Sequence, residues 1–434
     1  MTPRRAIGIA GISILAGCSM SEEPGVTTAS GVVCASDNAG LTLPAGFCAV
    51  EVADDLGAVR HIAVRSDGVV FGATRNERGT TGTGELIAVR DEDGDGRADR
   101  VKHFGENGGT GLALVEDTLL YFASDDAVLR YRIPLGAFRP ATAPDTIVRG
   151  LPFGENHQPK SIVVDGARLF VNHGAPSNSC QQSNREPRSP GKDPCPELET
   201  RGGVWLFDAS RVGQTMADGR RYATGIRNMV AMTLGPDGAL FGAQHGRDQL
   251  GDNWGMTDEQ NAELPAEELF RVEEGDDFGW PYCYFDGRQG RRVLAPEYGG
   301  DGTQQGRCAA TEPPIAWFPA HWAPNSIVFY DGSMFPERYR GGAFIAFHGS
   351  WNRAPLPQAG YNVVFVPFSG ATPAGQYEVF ADGFAGGDDG LPGSADHRPM
   401  GLAVGPDGSL YVSDDAGGSI FRIVYAGSSA PAAQ

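Results

Sequence analysis

The stretch MVAMTLGPDGALFGAQHG, residues 229–246, decides how the rest of the chain is read. An apolar run of strand length enters a Pro-Asp-Gly turn, and a second apolar run leaves it. Neither run alternates strictly, so the hairpin they form is expected to be buried on both faces. The phrase returns five more times, as HIAVRSDGVVFGAT (61–74), GLALVEDTLLYFAS (111–124), SIVVDGARLFVNHG (161–174), SIVFYDGSMFPERYRGGAFIAFHG (326–349) and MGLAVGPDGSLYVSDD (400–415).

Working outward, further strand-like runs lie between the phrases: GELIAVRDEDGDGRADRVKHF (84–104), AVLRYRIP (127–134), GGVWLFDAS (202–210) with RRYATG (220–225), EELFRVEEGDDFGWP (267–281), YNVVFVPF (361–368) with GQYEVFADG (375–383), and SIFRIVY (419–425). Two more strands per phrase make a four-stranded unit, and six units around an axis make an all-β, six-bladed β-propeller of four-stranded antiparallel blades. A β-sandwich or a solenoid is the alternative use of the same hairpins. The composition agrees with many short strands: 62 Gly and 30 Pro punctuate the chain, and long helical periodicity is absent from it. The formal net charge of −19 excludes nucleic acid as a partner, because a polyanion needs a basic footprint.

Residues 1–18 are expected to be a lipoprotein signal peptide. Arg4 and Arg5 precede a short apolar core, and Leu15-Ala16-Gly17-Cys18 resembles a bacterial lipobox. The core is too short to span a bilayer, so membrane attachment is expected only through a lipid on Cys18, at the periplasmic side of a bacterial cell envelope. A plain secretory signal is the alternative. A tether over 19–32, a propeller over 33–427 and a tail over 428–434 follow. Six further cysteines suit an exported protein, and the shortest loop closures would pair Cys34 with Cys48, Cys180 with Cys195 and Cys283 with Cys308, among fifteen possible pairings.

The repeat's register carries the functional reading. Residues just before the first run and just after the second share one end of the channel. Seven of the eight histidines of the sequence occupy those two positions, among them His157, His245, His321 and His348; His103 is the exception. Arg227 and Arg398 join them, with Arg353 and Lys160 close by in sequence. The longest irregular insertions, 175–202, 247–266 and 350–360, leave from the same end, as loops that build binding sites do. For any one histidine a packing role is the simpler account; the set indicates a site. Arginines at a channel mouth select an anionic or carboxylate-bearing ligand, and a histidine among them should stay basic near neutral pH.

The chain resembles the soluble pyrroloquinoline quinone (PQQ)-dependent sugar dehydrogenases of the glucose/sorbosone family, over roughly 43–425. The resemblance rests on Asn156-His157-Gln158, GIRN (225–228), QHGRD (244–248), PAEEL (265–269), FGWP (278–281), APNSIVFY (323–330), FHGSWNR (347–353) and HRPMGLAVGPDGSLYVSDD (397–415). It implies PQQ and calcium as cofactors, a small-molecule sugar as substrate and a periplasmic or membrane electron acceptor. It implies that His157 is the catalytic base. Arg227 and Asn228 would hold and polarise the cofactor, Arg227 taking part in catalysis, and Arg398 would pair with a cofactor carboxylate. The backbone carbonyls of Gly246 and Arg247, with Glu267 nearby, would ligate calcium. His245 stands where the glucose enzymes carry glutamine, and His321 where they carry threonine. The cationic residue of blade five gives way to FHGSWNR, so His348 or Arg353 is expected to serve the cofactor instead. These departures resemble the sorbosone branch.

Two other functions use the same features. A metal-dependent lactonase-type hydrolase needs carboxylates converging on one metal, whereas this ring is richer in Arg and His. A non-catalytic envelope binding module needs only the long loops. Separately, Asp91-Glu92-Asp93-Gly94-Asp95-Gly96 with Asp99 resembles the start of a calcium loop, but Lys102 stands where an EF-hand needs Glu. An acidic hairpin turn and a structural calcium turn are both open there.

Overall fold

The computed structural model describes residues 26–28, 31–77, 82–387 and 393–427. The signal peptide with Cys18, most of the expected tether and the 428–434 tail lie outside the described residues. Six four-stranded antiparallel sheets surround a channel. Blade one comprises 59–64, 70–74, 86–90 and 100–104; blade two 109–115, 119–124, 127–132 and 145–149; blade three 162–165, 168–173, 203–208 and 220–224. Blade four comprises 231–234, 240–244, 267–272 and 316–318; blade five 324–329, 343–347, 362–366 and 378–381. Blade six takes its three inner strands, 399–404, 410–414 and 420–425, from the C-terminal end and its outer strand, 47–53, from the N-terminal end.

The quoted phrases are the inner hairpins. Ala231 faces Ala243 and Leu234 faces Leu240, with the Pro-Asp-Gly turn between them. Residues 70–74, 240–244, 343–347 and 410–414 are buried throughout, which is why these runs do not alternate: neighbouring blades cover both faces. Outer strands are wetter, as in 100–104, where His103 meets Glu85 in solvent.

Two features differ from the sequence reading. The run 267–281 supplies one blade strand, not two; the outer strand of blade four arrives only at 316–318, after an excursion that contains its own hairpin, 283–286 with 291–294. The fourth strand of blade six is recruited across the whole chain, with Phe47 opposite Tyr425. The disulfides Cys34–Cys48, Cys180–Cys195 and Cys283–Cys308 are formed. The acidic segment 91–99 is a hairpin turn between 86–90 and 100–104, in which Asp91 accepts from the Gly94 and Gly96 amides and Asp99 from those of Glu92 and Asp93.

Phe47 anchors the closure. It is 3 % exposed, and its ring centroid lies 4.8 Å from Phe335, 5.4 Å from Tyr339, 5.0 Å from Phe380 and 5.0 Å from Tyr425. Replacing it by alanine empties the junction of blades five and six. Phe47→Ala is expected to cost about 3–5 kcal/mol, read as a lower denaturant midpoint; an unchanged midpoint would show that the outer strand is dispensable.

Candidate functional site in the channel mouth

Four inner hairpins slip register at one end of the channel, between Val59 and Ile62, Gly109 and Leu112, Pro324 and Ser326, and Pro399 and Gly401. Such bulges re-aim side chains. Here they bring polar groups from different blades together. Arg60 reaches Thr110 Oγ1 at 3.2 Å and Asp415 at 2.6 Å; His61 Nε2 donates to the Asn325 carbonyl at 2.8 Å, and His245 Nε2 to Asn325 Oδ1 at 3.0 Å. This polar layer floors the channel mouth.

Between blades three, four and five the floor opens into a cavity of about 190 Å³. His157, Arg227, His245, Gly246, Glu267 and His321 line it, together with Arg185, Asp248, Trp351 and Asn352 from the long insertions. His157 precedes blade three and His321 precedes blade five, and both hold left-handed backbone, at φ 52° and 67°. That conformation costs a non-glycine residue on the order of 1 kcal/mol, and such strain concentrates at functional sites. The His157 turn is clamped from behind by Arg201, whose guanidinium donates to the carbonyls of Gly154, Gly174 and Asn156. Gly174 permits the fit, since a Cβ there would lie 2.6 Å from His157 Cβ.

His157 Nδ1 lies 2.6 Å from the Ala175 carbonyl. A carbonyl only accepts, so Nδ1 carries the hydrogen and Nε2 of the neutral ring is bare. Burial first, and Arg227 second, push the His157 pKa well below 6.5. The same two causes lower His245 to about 4. Arg227 is anchored through all three of its nitrogens: it donates to Asn178 O at 3.1 Å and Oδ1 at 3.0 Å, to the Gly246 carbonyl at 2.7 Å and to Asp248 at 2.8 Å. Asp248 also accepts from Arg185 at 2.9 Å and Asn352 at 2.9 Å. Burial would raise the Asp248 carboxyl, but Arg227 and Arg185 outweigh it and hold it well below the carboxylate range. Glu267 accepts from the Gly246 and Ala323 amides at 2.7 and 3.1 Å, yet burial pushes it up to about 8. Near neutral pH, two arginines therefore face one ionised aspartate, a mostly protonated Glu267 and neutral imidazoles. The cavity carries an excess positive charge suited to an anion.

The remaining sequence-predicted residues sit elsewhere in the mouth. Asn228 is buried beside Gly174, and its Oδ1 has no hydrogen-bond partner among the described residues. His348 Nε2 donates to Asp415 at 2.5 Å, and Arg398 donates to the carbonyls of His348 and Gly349 while lying over Tyr361. Neither lines the cavity. Arg353 is turned away from it, bound to the carbonyls of Ala262, Ala320 and Pro357 and paired with Glu263. The Arg247 side chain pairs with buried Glu297. Lys160 is buried with its Nζ on the Gln158 carbonyl. Sequence reasoning missed four cavity residues. Asp248 lay inside the QHGRD motif, read there only for its carbonyls; Trp351 and Asn352 lay inside FHGSWNR, read there only for His348 and Arg353; Arg185 lies on an irregular loop with no periodic signal.

A family profile described as TrAA12-like matches residues 41–426. A curated Borreliella burgdorferi protein without an assigned function is 32% identical over 208 residues, 47% of this chain and 48% of its own length. A Coprinopsis cinerea PQQ-dependent pyranose dehydrogenase is 28% identical over 237 residues, 47% of this chain but 31% of its length. The chain thus spans half or less of the curated relatives it matches. Among solved structures, the PQQ domain of the Coprinopsis cinerea pyranose dehydrogenase superposes with a TM-score of 0.70 at 20% identity, covering 88% of this chain and 97% of that one. A Trichoderma reesei carbohydrate-active enzyme of family AA12 superposes with a TM-score of 0.71 at 20% identity, covering 89% and 98%. A glucose dehydrogenase superposes less closely, at 0.57, with 20% identity over 86% of this chain and 98% of that one. These likenesses fix the six-bladed fold, and the profile match spans nearly the whole propeller: the chain belongs to the TrAA12-like family.

Proposed function

We propose that the protein oxidises an aldose or related polyol with PQQ as the electron acceptor, His157 acting as general base. The carrying observation is the bare Nε2 of His157, the ring kept neutral by burial and by Arg227 while the Ala175 carbonyl fixes the hydrogen on Nδ1, in the wall of a cavity that Arg227 also lines. The name of the partly matching Coprinopsis relative, a PQQ-dependent pyranose dehydrogenase, supports the same reading.

The residues fit a planar, carboxylate-bearing group. The guanidinium groups of Arg227 and Arg185 in the cavity wall are the complement of such an anion. Arg227, Arg185, His245 and His321, which line the cavity, would hold PQQ; Asn228, His348 and Arg398 lie outside its wall. When bound, PQQ supplies a two-electron sink that takes hydride from the substrate carbon. His157 Nε2 takes the hydroxyl proton of that carbon, and the Ala175 carbonyl steadies the imidazolium so formed. Trp351, half exposed, forms part of the cavity wall. Gly246 O, Arg247 O and Glu267 are the oxygen donors that would ligate calcium, and a cation there would keep Glu267 ionised. The hydrolase alternative is disfavoured because Asp248 is already saturated by Arg227, Arg185 and Asn352.

Apo protein reconstituted with PQQ and calcium is expected to reduce an acceptor dye when given an aldose. His157→Ala should lower kcat by ~10²–10⁴-fold, and an unchanged rate would overturn the assignment. Because the base is active only when neutral, kcat/KM should fall with acid only as pH drops through the depressed His157 pKa, below 6.5; a half-point above 6.5 would name another base. Calcium at 100 times its Kd should stabilise cofactor-free protein by about 2.7 kcal/mol, read as a higher Tm. Glu267→Gln should remove that rise while leaving the fold intact; a rise that survives the substitution would place the ion elsewhere.

We propose further that Cys18 carries a lipid that holds the propeller at the bacterial envelope. Cys18→Ala should move the protein from the membrane fraction to the soluble periplasmic fraction, and no change of fraction would remove the anchor.

A further inference from the structure

The excursion that delays the outer strand of blade four builds a second cavity, of about 540 Å³, sharing no lining residue with the channel cavity. Its walls are the 283–286/291–294 hairpin, the Gly-rich turn at 299–303, the end of the short helix Leu250–Trp254, and Arg188 from the blade-three insertion. The volume falls within the range of small-molecule pockets, roughly 300–1,000 Å³.

Tyr284 is 3 % exposed, and its hydroxyl has no hydrogen-bond partner among the described residues. A buried hydroxyl left unpaired is rare in a folded chain and needs an explanation. This one ends beside the glycine turn, 4.0 Å from where a side chain on Gly302 would begin. Trp254 forms another wall, its indole N–H already given to Glu297 at 2.8 Å and the Arg188 guanidinium 5.7 Å from its ring centroid, so what it offers is ring surface beside a guanidinium. Charges in the walls balance, Arg188 and Arg288 against Asp286 and Asp301. The polar groups are held in advance. Gln289 donates to Asp286 at 2.6 Å and to the Gly302 carbonyl at 2.8 Å, and Cys283–Cys308 ties the hairpin to the next segment. Preorganisation of this kind lowers the cost of binding.

Aromatic surface, planar hydrogen-bonding side chains, an unpaired hydroxyl and no net charge describe a receptor for a neutral ligand with many hydroxyls and an apolar face. We propose that this cavity is a saccharide-binding site, separate from the channel and independent of its chemistry.

Isothermal titration of cofactor-free protein with cellobiose tests it. Wild-type protein should bind; Tyr284→Phe should bind about tenfold more weakly, the loss of one hydrogen bond; Trp351→Ala, at the channel mouth, should bind as wild type. Because the hydroxyl has no partner among the described residues to lose, Tyr284→Phe should not lower the Tm, which separates lost binding from lost folding. Absence of heat with wild-type protein, or an affinity unmoved by Tyr284→Phe, overturns the proposal. An affinity that responds to Trp351→Ala and not to Tyr284→Phe places the sugar in the channel, and also overturns it. None of these outcomes depends on PQQ.

Discussion

Each blade packs against a neighbour on both faces, so the middle of an inner strand has no water on either side. A polar side chain there would lose its hydration without recovering partners, at a cost of several kcal/mol. Polar residues are therefore driven to the strand ends, and in a ring the ends of six strands meet at one mouth. Arg60, His61, Thr110 and Asn325 sit where the hairpins slip register, still able to pair with one another. The site follows from the packing: the apolar sheets leave the channel mouth as the place where buried polar chemistry is tolerable.

Within the mouth, Arg227 sets the local balance. Its guanidinium touches the Asn178 segment of one insertion, the Gly246 carbonyl at the start of another and Asp248 beyond it. It orders loops and depresses the neighbouring imidazoles at once. Burial of Asp248 with two arginines leaves little free negative charge, and burial of Glu267 removes more. The result is a basic environment inside a strongly acidic protein.

How far the sequence could be read divides along a physical line. The inner hairpins were legible because strand, turn and strand are contiguous, and Ala231–Leu234 with Leu240–Gln244 carries its own turn chemistry. The meeting of His157, His245 and His321 was legible because register is periodic. The closing strand was not, since Phe47 finds Tyr425 only in the folded ring, and 316–318 was hidden behind an irregular excursion. Direction was hidden too. His157 and Arg353 were both expected at the mouth, but one lines the cavity and the other is bound to the carbonyls of Ala262, Ala320 and Pro357. Sequence spacing locates a residue at a mouth; only packing says which way it turns.

The clasp in blade six has one more consequence. Strand 47–53 lies outermost in its sheet, next to 420–425, so the chain enters and leaves the propeller at the rim of a single blade. Topologically the protein is a closed band whose covalent break has been moved to its outer edge. The same break makes the ring a long-range contact that no local folding step completes. The last blade forms only when the two ends of the sequence are in one place.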